Sequence, residues 1–160
     1  MLWSSSYMVL HNGISEDAAA SYASLFFIGI TVGRAASGFL TLRFTDCQMI
    51  RAGQFLIALG IATMLLPFGN TVTVIGLILT GLGCAPIYPC IIHSTPEYFG
   101  ADKSQALIGV QMASAYTGTC LMPPLFGLIA NHISAALFPV YLAAFLILMI
   151  LMHELLLKRT

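Results

Sequence analysis

Residues 52–96 read AGQFLIALGIATMLLPFGNTVTVIGLILTGLGCAPIYPCIIHSTP and contain no Asp, Glu, Lys or Arg. A helix needs about 20 apolar residues to cross a bilayer. This stretch is long enough for two. PFGN, residues 67–70, lies near its middle, and Pro with Gly there marks a tight turn. The reading is two membrane helices joined by a corner, over about 48–67 and about 71–94.

The same pattern continues outward. Residues 104–153 are also free of charge, and NHIS, residues 131–134, interrupts them. They predict spans over about 104–130 and about 134–155. Upstream, AAASYASLFFIGITVGRAASGFLTL predicts a span over about 18–42. Its one charge is Arg34. An arginine at a helix centre costs about 2.5–3.5 kcal/mol, and less near an end, where it reaches the interface.

Composition agrees. The chain has 160 residues, 59% hydrophobic and 8% charged, against about 25% charged in soluble domains. Mean hydropathy is +0.94. Six acids and six Lys or Arg cannot coat a water-facing surface, so lipid covers most of this one. The fold class is all-α, a polytopic membrane helix bundle. Cys47, Cys84, Cys90 and Cys120 show no C-x-x-C spacing and read as four buried small apolar residues. Residues 1–13, MLWSSSYMVLHNG, have no basic segment and no small-residue cleavage site, so they are not a secretory signal.

Residues 1–10 are too short to span, at about 1.5 Å per residue against a core of about 30 Å. They read as the end of a helix, with Trp3 and Tyr7 at interfacial depth. The expectation is a fragment that begins inside a helix: five full spans and the end of a sixth.

The basic residues set orientation. In this scheme Arg34, Arg43, Arg51, Lys103, Lys158 and Arg159 all fall on one side. The connection HNGISEDA, on the other side, has Glu16 and Asp17 and no base. The positive-inside rule makes the basic side, and the C-terminus, cytoplasmic.

These helices are not plain Leu and Ile. Gly76, Gly81, Gly83, Ala85, Pro86 and Pro89 interrupt the fourth segment. Small residues let backbones approach, and Pro bends a helix. Both suit a gated or cavity-lining helix, and ordinary close packing explains them equally. In the next helix, Gln111, Ser114 and Thr117 recur at a spacing of three, which places them on one face. Gly109 and Gly118 read as close-approach positions. His93 has two readings. It binds solute or a proton, or it sits at the interface bonded to Ser94, Glu97 or water. Glu97 and Asp102 read as solvated loop acids.

No H-E-x-x-H, G-x-S-x-G or phosphate loop is present. The histidines are scattered. The expectations are no enzyme, no catalytic residue, no metal and no cofactor. Zero net charge gives no sign of nucleic acid. A structural or regulatory membrane subunit and a membrane-enzyme subunit are the competing classes.

VGRAASGFLTLRFTDCQMIRAG, residues 32–53, now has a place: the inner loop between two spans. Gly33, Arg34, Gly38, Arg43 and Asp46 are its marked residues. Gly33 and Gly38 read as close helix contacts, and Thr45 with Gln48 as a capping box. The loop resembles the second-half loop of the major facilitator superfamily, whose motif is of the Gly-x3-Asp-Arg-x-Gly-Arg type. Gly38 and Arg43 match its Gly and Arg, and Leu42 stands at the Asp. GLGCAPIYPCIIHSTPEYFG, residues 81–100, and IGVQMASAYTGTCLMPPLFG, residues 108–127, are similar to helices 10 and 11 of fucose-permease-like members.

The resemblance implies the C-terminal half of a twelve-helix secondary carrier in the cell membrane. It implies alternating access, proton symport and a sugar or similar small polar solute. The N-terminal half and the bilayer would be its partners. Tyr22, Tyr88, His93, Gln111 and Tyr116 are candidate cavity-lining residues from depth and polarity, since aromatic faces and amides suit a sugar.

Overall fold

In a computed structural model, residues 2–13, 15–65, 69–132 and 137–158 are described. They form six helices and no strand: α1 (Leu2–Asn12), α2 (Glu16–Leu40), α3 (Asp46–Leu65), α4 (Asn70–Phe99), α5 (Ala101–His132) and α6 (Phe138–Leu157).

Local chemistry sets the helix ends. Gly13, at φ 66°, takes a conformation few side chains tolerate and separates α1 from α2. Glu16 and Asp17 open α2, where carboxylates oppose the positive end of the helix dipole. The capping box at α3 is present in both directions. The Thr45 N–H donates to Gln48 Oε1 at 3.2 Å, and the Gln48 N–H to Thr45 Oγ1 at 3.4 Å. Gly100, at φ 82°, makes the corner between α4 and α5, its N–H donating to Pro96 O at 3.0 Å.

Four helices, α2, α3, α4 and α6, are long and apolar enough to cross a membrane. The expected span over about 104–130 falls in α5, which is not among them. Its length of 32 residues is ample. Gln, Ser, Thr and Gly along it dilute the apolar side chains. The NHIS break also shifts: Asn131 and His132 continue α5, and residues 133–136 lie outside the described set. Pro67 and Phe68 of the PFGN corner lie outside it as well.

The centre of the bundle is α4. On one side Gly53 and Gly60 of α3 meet Gly83 and Gly76 of α4, backbone to backbone. A Cβ at Gly83 would stand 2.6 Å from Gly53 O, and one at Gly60 would stand 2.7 Å from Gly76 O. Numbers rise along α3 as they fall along α4, so the pair is antiparallel. On the other side, Gly29 of α2 faces Ile78 and Leu82, and Gly33 faces Leu82 and Ala85. Here the numbers rise together, so α2 runs parallel to α4. Arg51 of α3 bonds Glu154 of α6 at 2.8 Å. Hence α2, α4 and α6 end, and α3 starts, at one end of the bundle. The described bases lie toward that end.

The close-approach reading holds for Gly33. It is corrected for Gly38, Gly109 and Gly118, where a Cβ would meet nothing within 4 Å. Those positions sit on open helix faces rather than seams. Cysteine burial is corrected too. Cys90 is buried, Cys47 half-buried, and Cys84 and Cys120 are exposed; Cys84 opens onto a cavity rather than into packed core. Tyr7 is 3% exposed and packs on Phe138 with ring centroids 5.8 Å apart, so it is a core residue. The Trp3 side chain lies outside the described set.

Two buried side-chain nitrogens, Gln54 Nε2 on α3 and His153 Nδ1 on α6, have no hydrogen-bond partner among the described residues. An unmet buried donor costs about 1–3 kcal/mol. Gln54→Met keeps the volume and removes the donor, so it is expected to raise stability by about 1 kcal/mol. Denaturant unfolding in detergent checks this. A loss of stability would mean the amide has a partner after all.

Candidate functional site

Beyond the glycine seam, α2 and α4 part toward the arginine-bearing end. The gap is a cavity of about 950 Å³. From α2, Arg34, Ser37 and Gly38 line it. Thr41, Phe44 and Thr45 come from the following loop and Asp46 from α3. Tyr88, His93 and Glu97 come from α4. Arg34, Ser37 and Thr41 recur three and four residues apart, which puts them on one helical face.

One contact ties the walls together. His93 Nδ1 lies 2.6 Å from Asp46 Oδ2. A carboxylate only accepts, so Nδ1 carries the hydrogen. The His93 side chain is 83% exposed and that of Asp46 16%. Asp46 sits in the first turn of α3, where the helix dipole also favours its charge. The contact is an ion pair while the imidazole is protonated and a hydrogen bond from a neutral imidazole to a carboxylate once it is not. His93→Ala is therefore expected to change the pH profile of solute binding between about pH 5 and 8, with helix content unaltered. A profile that overlays the parent chain's would leave the pair only a mechanical tie.

Of the expected site residues, Arg34, Gly38, Asp46, Tyr88 and His93 meet on this cavity. Gly33 lies under it, packed on Ala85. Arg43 is exposed in the loop and not on the wall. Gln111 is half-buried and donates to Thr95 Oγ1 at 3.0 Å, joining α5 to α4. Tyr22 and Tyr116 are exposed, Tyr116 to 72%, and line neither this cavity nor the smaller one. The smaller one, about 240 Å³, is lined mainly by apolar side chains such as Phe26, Phe126 and Tyr141.

The polar stripe on α5 is largely self-contained. Ser114, Thr117 and Thr119 each donate to a carbonyl one turn back at 2.8 Å. Sequence reasoning missed Ser37, Thr41 and Thr95. The helical spacing from Arg34 would have found the first two. Thr95 carries no such signal, because its partner lies on another helix.

A comparison with family profiles matches the whole chain, residues 1–160, to the one described as Major Facilitator Superfamily. The chain belongs to that superfamily. Members of the superfamily are secondary transporters, multi-pass in the membrane, with a solute as substrate, and not enzymes. Searches of curated proteins and of solved structures gave no match. In a superfamily of this kind, the cavity between α2 and α4 is the feature to weigh.

Proposed function

We propose that the chain is one half, the C-terminal one, of a secondary active transporter that moves a small polar solute by alternating access. The arginine-bearing end faces the cytoplasm in this reading, since the described bases gather there. Sugar is the solute class, with proton symport. The resemblance of residues 81–100 and 108–127 to fucose-permease-like helices supports the class, as do hydroxyls and an aromatic lining one cavity.

The observation that carries the reading is the cavity itself. Polar and charged side chains line a gap that starts where a glycine seam ends, in a bundle otherwise apolar outside. In membrane helices such groups mark solute or ion pathways. The expected result is saturable uptake of a radiolabelled sugar by vesicles in which the chain is reconstituted with the N-terminal half that this reading requires. No uptake of any member of a sugar, amino-acid and drug panel would remove the transporter reading.

A further inference from the structure

We propose that the cavity takes a sugar bearing a carboxylate, such as a uronic acid, and that Arg34 holds the acid group. This rests on the transporter reading and narrows its solute.

The ion pairs among the described residues are Arg51–Glu154 and His93–Asp46. Arg34 therefore has none, although it lines the cavity. Arg34 is exposed to that cavity, and a charge on a membrane helix commonly pairs with something on the pathway. The acids nearby do not serve. Asp46 is taken by His93 at 2.6 Å. Glu97 stands at the mouth. Gly33 packs on Ala85, which puts Arg34 near that level of α4. Glu97 lies 12 residues farther along the helix, or about 18 Å at 1.5 Å per residue. Arg34 thus lies deeper along the helices than Glu97, on the part of the wall nearest the glycine seam.

The rest of the lining suits a hydroxylated ring. Ser37 Oγ donates to Arg34 O at 2.9 Å and Thr41 Oγ1 to Gly38 O at 3.0 Å. Their hydrogens are used, so both oxygens face the cavity as acceptors for sugar hydroxyls. Tyr88 adds an aromatic face. The volume of about 950 Å³ lies within the roughly 300–1,000 Å³ of small-molecule sites. A neutral sugar would leave the Arg34 charge unmet, whereas a carboxylate meets the guanidinium fork with two parallel hydrogen bonds.

The test compares radiolabelled D-galacturonate with D-galactose, which differ only in oxidation at C6, on the chain in phosphatidylcholine nanodiscs. Galacturonate is expected to bind about 10- to 100-fold more tightly. Arg34→Gln should abolish that preference. Arg34→Lys should keep part of it, with the charge retained and the fork lost. Galactose binding as tightly as galacturonate overturns the proposal, as does binding of neither. So does a preference that survives Arg34→Gln with helix content intact, or inorganic phosphate competing as well as galacturonate. In the vesicle assay, uptake of galactose without galacturonate would end the proposal and leave the transporter standing. Uptake of no solute at all would end both.

Discussion

Gly83→Leu is expected to break the α3–α4 pair. A Cβ at residue 83 would lie 2.6 Å from Gly53 O and 2.9 Å from Ile57 N. Both are backbone atoms and cannot rotate away. The only relief is to separate the helices, which also strips contacts from Gly60 and Gly76 farther along the seam. In lipid, helix association depends on this packing, because burying apolar surface gains little there. Overpacking a well-fitted core typically costs about 1–3 kcal/mol. With backbone on both sides, about 3 kcal/mol or more is expected. Gly109→Leu is the control, since a Cβ there meets nothing within 4 Å, and it should stay within about 0.5 kcal/mol. Denaturant unfolding in detergent gives both values. Equal midpoints for the two variants would dispose of the seam as the bundle's main joint.

The second large effect belongs to Phe126→Ala. Phe126 is 2% exposed, with ring centroids 5.7 Å from Phe138 and 4.8 Å from Tyr141. It joins α5 to α6 in a cluster that includes Tyr7, Met8 and Leu77. In water-soluble cores a Phe→Ala change costs about 3–5 kcal/mol. Lipid is as apolar as the core, so the transfer share falls away and the packing share, about 2 kcal/mol, remains. Cleavage by a protease between α5 and α6 should speed up in parallel. Unchanged cleavage and unchanged stability together would show that α5 is held elsewhere, by Thr95 and Gln111.

The helical bundle was legible because lipid imposes a coarse rule. Long charge-free runs must be helices, and Pro, Gly and clustered charge mark where they end. The capping box at Thr45 and Gln48 was legible for the same reason: its partners are three residues apart. Contacts between distant residues were not. His93 offered Ser94 and Glu97 as local partners, yet it bonds Asp46, 47 residues away. The glycines show the same limit. Gly33 and Gly38 look alike in sequence, but five residues turn a helix by more than a quarter circle. One meets α4 and the other faces the cavity. Depth and polarity single out Tyr22 and Tyr116, but those properties do not say which way a side chain points.

One consequence of the α2–α4 seam remains. The two helices run parallel and are riveted together from Gly29 to Ala85. From there α4 carries Pro86 and Pro89, each of which removes a backbone hydrogen bond and softens the rod. Rivets below and soft joints above make a pair of tongs. The jaws are the far ends of α2 and α4, and the His93–Asp46 contact is a catch between α4 and the start of α3, across the loop that leaves α2. Such a pair is stiffest at its glycine seam and most open to bending where the cavity begins.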